Sequence, residues 1–307
     1  MQQFDQVAHH RLVAIGWRGV SHRQRAAQQP TATSKRRCRC ARITLGSARR
    51  PARLARWRAR SAPADGPARN AMSILDSLRP LPNLRVLVTA GAGGVGAAIA
   101  RAFHEAGSRV HVCDVDRSAL DRLTAGVPGI TGSMADASFP ADVDGVFEDV
   151  RGALGGLDVL ISNAGITGPI GPIEAIDGGF WERTIAVNLN SQFYFARRAV
   201  PLLKQSVAGP CLIAMGSMAA RAGFGSLHAS SNGAVVGLMR SLAQELGPHG
   251  IRVNAILPGT AAGEHAQAIT TRAEVNDVAA LALFLCSPAA RHLTGQAVGM
   301  HHQAEYL

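Results

Sequence analysis

The chain has 307 residues, 47% of them hydrophobic, with 32 Lys and Arg against 21 Asp and Glu; that is enough for one or two domains with a substantial core. The net charge of +11 is unevenly placed: residues 1–71 hold 15 Arg and Lys35 against only Asp5 and Asp65, and the rest is mildly acidic. A charge argument for binding nucleic acid therefore applies to that stretch alone and none is expected, while no apolar run reaches the ~18–20 residues of a membrane span.

Residues 1–71 show no sustained periodicity and are dense in Arg, Ala, Gln, Ser and Pro. Such a segment buries too little apolar surface to offset its ordering entropy. The expectation is a disordered basic extension over 1–75 and one folded domain over 76–307. The extension reads either as an organelle-targeting or basic arm, or as an upstream stretch outside any folded module with Met72 as a natural start. The change in composition at Met72 favours the second reading.

From residue 84 the pattern alternates. Residues 84–89 form a short β-branched apolar run suited to a buried parallel strand. Residues 95–106 have helical spacing and stop at Gly107. Further strands are expected at 109–113, 159–161, 211–215 and 251–256, and helices at 116–124, 142–154, 179–205, 229–246 and 276–286. Repeated β-α units predict an α/β fold, a Rossmann-type doubly wound parallel sheet with ligand sites at the strand C-termini. Cys38, Cys40, Cys113, Cys211 and Cys286 have no repeated spacing and are expected to be free thiols in a reducing, cytoplasmic setting. Neither Cys38-x-Cys40 nor His301-His302 has the further ligands a metal needs, so no metal is expected.

Thr89-Ala-Gly-Ala-Gly-Gly-Val-Gly96 joins the first strand to the first long helix. Gly91, Gly93 and Gly96 match G-x-G-x-x-G, whose missing side chains allow a tight turn and close approach of a pyrophosphate to the helix N-terminus. Asp114, after the second strand, suits a ribose 2′-hydroxyl and disfavours a 2′-phosphate, which points to NAD over NADP.

With Ser162-Asn163-Ala164-Gly165, Asn188, Ser217 and Pro258-Gly259 in order, residues 84–300 resemble the short-chain dehydrogenase/reductase family. The resemblance maps the family's turn onto Thr89, Ala90, Gly94 and Gly96, with Ala90 in place of the first glycine, and draws Val95 into the cofactor site. It implies an adenine contact at Asp136 after the third strand, a cofactor-side motif at Asn163, Ala164 and Gly165, and further cofactor contacts at Pro258 and Gly259. It also implies a relay asparagine at Asn188 and an oxygen-polarising serine at Ser217. The family's catalytic Tyr-x-x-x-Lys falls on His228 and Asn232. The only tyrosines are Tyr194 and Tyr306, and the only lysines Lys35 and Lys204.

Histidine can exchange protons near neutral pH, whereas asparagine supplies no charge. The segment 260–276 is short for a substrate lid, Ala262-Gly263 stand where the family has a threonine, with Thr260 nearby, and Met300-His301-His302 replaces Val-Asp-Gly. The expectation is NAD binding with impaired hydride transfer to a small alcohol or carbonyl, or an inactive assembly partner. Family dimers pair the helices corresponding to 179–205 and 229–246, so a homodimer or homotetramer is implied.

Overall fold

The computed structural model describes residues 72–223, 225–259 and 272–300, with the backbone alone for 272–274. The expectations for residues 1–71, for 260–271 and for His301-His302 lie outside these residues.

A short helix, α1 (Ile74–Ser77), comes first. Then alternate β1 (Arg85–Thr89), α2 (Gly94–Glu105), β2 (Arg109–Asp114), α3 (Arg117–Gly126), β3 (Ile130–Met134), α4 (Pro140–Leu154) and β4 (Val159–Ser162). They are followed by α5 (Gly178–Ile185), a π-helical turn (Ala186–Asn190) and α6 (Ser191–Leu203). The remaining elements are β5 (Cys211–Met215), α7 (Ala219–Ala222), α8 (Ser226–Leu246), β6 (Arg252–Pro258), α9 (Arg272–Leu285) and β7 (Ala297–Met300). All seven strands pair in parallel in the order β3-β2-β1-β4-β5-β6-β7. This is the doubly wound sheet read from the alternation. Among the described residues no helix is long and apolar enough to cross a membrane.

Period-two alternation splits the core between the two faces of the sheet. Leu87, Leu160 and Leu212 pack on one side with Phe147 of α4 and Phe195 of α6. Val86, Val88, Ile161 and Ile213 pack on the other with Phe103 of α2 and Leu285 of α9. The reversal of strand order between β1 and β4 opens a crevice at their C-terminal ends, where such sheets take their ligands. At the opposite end, Arg85 forms a two-pronged ion pair with Asp158, Nε to Oδ2 at 2.9 Å and Nη2 to Oδ1 at 2.7 Å.

Three boundaries differ from expectation. The helix expected at 179–205 runs on without interruption but changes pitch: α5 passes through the π turn into α6, where the Asn188 side chain bonds the Ile166 backbone and the Ser191 hydroxyl bonds the Val187 carbonyl. Two edge strands carry no apolar run. In β3 the inward Ser133 pairs with the buried His111, Oγ to Nε2 at 2.8 Å, where an apolar residue would have announced a strand. β7 is only half-buried along its length.

Candidate functional site

The turn between β1 and α2 is held by side chains from β1 and from the loop after β4. Thr89 Oγ1 accepts from the backbone N–H of Asn163 (2.8 Å) and of Ala164 (2.9 Å). The Asn163 amide donates to the carbonyls of Thr89 (3.0 Å) and Ala90 (3.1 Å). These bonds fix the two strand ends that flank the crevice. A Cβ on Gly96 would sit 2.1 Å from the Ala90 carbonyl, so this glycine answers to the protein's own packing. Gly91 does likewise, with Val112 Cβ at 2.8 Å. Ala90 takes φ +47°, the left-handed conformation that glycine adopts freely, at a cost of about 1–2 kcal/mol. Gly91, where an added Cβ would meet Val112 at 2.8 Å and whose φ is not positive, does not relieve the strain at Ala90.

Gly93 is different. Nothing lies within 4 Å of where its Cβ would be, and its φ of −137° suits any residue. Gly94, at φ +48°, is equally open. No side chain caps the first turn of α2, so its free N–H groups and positive dipole end face an open cradle, as a pyrophosphate requires. The residues present therefore fit a dinucleotide. Gly93→Ala is expected to leave the melting temperature of the free protein unchanged and to weaken NADH binding by roughly tenfold, measured by calorimetry. Unchanged affinity would remove the pyrophosphate from this turn.

Asp114 ends β2 with its carboxylate turned on the same loop. Oδ2 accepts from the Ala92 N–H (3.0 Å) and Oδ1 from the Asp116 N–H (3.1 Å). Asp136 lies just past β3, and burial pushes its carboxyl up. Hydrogen bonds from Ser138 and Arg183 outweigh that burial and hold it below the usual carboxylate range. Val95, in the first turn of α2, is partly buried and packs against the core. Gly165 has room only up to Asn188 Oδ1, 3.5 Å from a built Cβ. Pro258 accepts through its carbonyl from the Met218 N–H (3.0 Å), and Gly259 N–H donates to Met300 (2.6 Å). The ends of β6 and β7 and the loop after β5 are thereby joined.

Asn188, His228 and Asn232 meet at the start of α8, joined through Ser231. Ser217 follows β5 and is buried, its Oγ accepting from the Ala219 N–H at 3.1 Å, which leaves its own proton free to donate. Asn188 Oδ1 accepts from the Ile166 N–H (2.7 Å), while its Nδ2 donates to the Ile166 carbonyl (2.9 Å) and to Ser231 Oγ (2.9 Å). Ser231, fully buried, donates in turn to the His228 carbonyl at 3.2 Å. Sequence reasoning overlooked Ser231, although its place three residues after His228 is a helical-face signal.

Asn232 is buried at 5% exposure, and its Nδ2 donates to the His228 carbonyl at 2.8 Å. That bond orients the amide and places Nδ2 3.3 Å from His228 Nδ1, an arrangement that suits the neutral tautomer with its proton on Nε2. Asn232 Oδ1 faces Gly216, 3.7 Å from a Cβ built there. Burial pushes the His228 pKa below its usual value, opposed by a hydrogen bond to the Ile166 backbone. The imidazole is thus a neutral group tied into a polar network. Among the described residues the only lysine is Lys204, the residue after α6, so no ammonium reaches this network.

A family profile described as "Enoyl-(Acyl carrier protein) reductase" matches residues 90–301. A short chain dehydrogenase/reductase of Colletotrichum higginsianum, dpchG, is 36% identical over 186 residues, covering 58% of this chain and 69% of its own. The (+)-borneol dehydrogenase 1 of Salvia officinalis is 32% identical over 231 residues, covering 68% and 88%. Among solved structures, the 3-ketoacyl-(acyl-carrier-protein) reductase of Brucella melitensis complexed with NADH superposes with a TM-score of 0.66 at 27% identity, covering 71% and 97%. The chain belongs to the short-chain dehydrogenase/reductase family, whose members are nicotinamide-dependent oxidoreductases.

Proposed function

We propose that this chain binds NAD(H) in the crevice between β1 and β4 and that its hydride transfer to an alcohol or carbonyl substrate is impaired. The observation that carries this reading is the Asn232 amide. It is spent on the His228 carbonyl, where a catalytic pair of this family needs a cation beside its acid, whereas the open Gly93-Gly94 cradle needs no repair. Bound nicotinamide would supply or accept the hydride. Around it Ser217 Oγ would polarise the substrate oxygen, His228 would exchange the proton at Nε2, and Asn188 would hold the Ile166 turn in place. Without a neighbouring positive charge, the proton transfer loses most of the help that a positioned acid ordinarily gives, about 10²–10⁴-fold.

The carboxylate of Asp114 at the end of β2 supports NAD over NADP. Ser217, His228, Asn232 and Asn188 are the catalytic assignment. Thr89, Gly91, Gly93, Gly94, Val95, Gly96, Asp114, Asp136, Asn163, Ala164, Gly165, Pro258 and Gly259 are the cofactor assignment. Residues 1–75 are assigned as the extension and 76–307 as the domain, working in the cytoplasm, where buried free thiols such as Cys113 and Cys211 persist. Calorimetry with NAD(H) beside a screen of secondary alcohols and ketones tests the reading. Binding with turnover well below that of active relatives is expected, and absence of binding would overturn it.

A second reading, an inactive assembly partner, is favoured by Trp181 and Phe193, both more than 40% exposed on α5 and α6. The two helices 179–205 and 229–246 would pair with those of another copy as a homodimer or homotetramer. Analytical ultracentrifugation showing a monomer would remove this reading.

A further inference from the structure

One contact beyond the end of β3 joins elements far apart in sequence and is explained by neither the fold nor the reaction centre. Arg183 on α5 donates through Nη2 to Asp136 Oδ2 at 2.9 Å and through Nη1 to Ser138 Oγ at 2.7 Å. Ser138 bonds the other carboxylate oxygen twice, through its backbone N–H (2.9 Å) and its hydroxyl (2.7 Å), both to Asp136 Oδ1. The Asp136 N–H is taken by Asp142 Oδ2 at 2.9 Å. The carboxylate is thereby fixed in one orientation while its side chain stays 24% exposed.

Its position says what it faces. The Ala135 N–H donates to the Asp114 carbonyl at 2.9 Å, so the end of β3 sits directly beside the end of β2. In a sheet ordered β3-β2-β1-β4 with the pyrophosphate turn after β1, the β2 and β3 ends border the adenosine half of a dinucleotide. An ion pair this exposed contributes little to folding, about 0–1 kcal/mol. Its geometry is nonetheless fully specified: three hydrogen bonds reach the Asp136 carboxylate, and two more hold Ser138 and the Asp136 backbone around it.

We propose that Arg183 is a positioning residue for the adenosine half of the cofactor site, holding the Asp136 carboxylate in the orientation that receives the nucleotide. The proposal rests on the dinucleotide reading and adds α5 to the cofactor site. Five residues beyond Arg183, the π turn carries Asn188 into the reaction centre. One continuous helical segment therefore reaches from the adenosine side to the reacting side.

The test uses the full chain, titrated by calorimetry with ADP-ribose, NADH and nicotinamide mononucleotide. Arg183→Gln is expected to weaken ADP-ribose and NADH by roughly 5–20-fold. Nicotinamide mononucleotide should bind as to wild type, and the melting temperature should stay within ~2–4 °C. Arg183→Lys should recover part of the loss by restoring the charge without the fork. Ser138→Ala, which removes the second anchor of the guanidinium without touching α5, should weaken ADP-ribose by roughly 2–5-fold. Unchanged ADP-ribose affinity in Arg183→Gln and Ser138→Ala, beside a wild type that binds, overturns the role of Arg183 alone. Equal losses for ADP-ribose and nicotinamide mononucleotide with a fall in melting temperature overturn it too, since that is the signature of general support. A wild type that binds neither ADP-ribose nor NADH overturns the dinucleotide reading itself.

Discussion

The double replacement His228→Tyr with Asn232→Lys is expected to raise NADH-dependent ketone reduction by at least about 10²-fold over wild type. The reason is local. In the wild-type network the Asn232 amide donates to the His228 carbonyl and lies 3.3 Å from Nδ1, so the two side chains satisfy one another and neither carries charge. Burial holds the imidazole neutral, which makes it a proton donor without an electrostatic drive. An ammonium at 232 would approach from the same helix face, toward the strand end where Asn232 Oδ1 now lies near Gly216. It would lower the pKa of a phenol at 228 by direct attraction. Ser217 and Asn188 are the proposed assisting groups. Either single replacement should gain far less, because the phenol without the cation stays protonated too firmly and the cation without the phenol has nothing to activate. The check is kcat/KM for all four proteins on one ketone panel. Additive single effects would contradict a paired mechanism.

The second large effect concerns stability. Arg85→Met is expected to cost about 3–5 kcal/mol, more than Asp158→Ala at about 2–4 kcal/mol. The asymmetry follows from exposure: the Asp158 side chain is 5% exposed and the Arg85 side chain 27%. Removing the arginine strands a buried carboxylate, while removing the aspartate leaves a guanidinium that can reach water. Burial pushes the Asp158 carboxyl up, but bonds from Arg85 and Ser206 outweigh it, so its folded pKa lies below the unfolded value. The pair's contribution is therefore fully present above about pH 4 and is lost as pH falls through the folded pKa. Denaturant unfolding across pH checks both points. Arg85→Met should lose its acid-dependent decline, and equal costs for the two variants would show that exposure does not set the penalty.

How much of this was legible in the sequence can be said element by element. The buried central strands were clear because Val86–Val88 and Leu212–Met215 are continuous apolar runs, covered on both faces. The edge strands were not, since β3 places Ser133 inward against His111 and β7 is half-buried. The π turn at Ala186–Asn190 was hidden because it keeps helical residue types on both sides. In the site, the glycine turn could be read by position, but not the division of labour within it. Gly91 and Gly96 are demanded by Val112 and Ala90, whereas Gly93 is free for a ligand. Ala90, in place of the family's first glycine, carries a left-handed φ that the sequence does not announce. Ser231 and Arg183 escaped because their partners, Asn188 and Asp136, are 43 and 47 residues away. Only the fold brings those pairs together.

Cofactor binding and hydride transfer should dissociate in this protein. The most direct test is a fluorescence titration of NADH into the wild-type chain in the presence of a ketone panel, followed over time. Saturable binding with an NADH signal that persists is expected, against rapid loss of that signal in the His228→Tyr/Asn232→Lys variant. Wild-type oxidation of NADH at the variant's rate, or the absence of any binding, would contradict that dissociation.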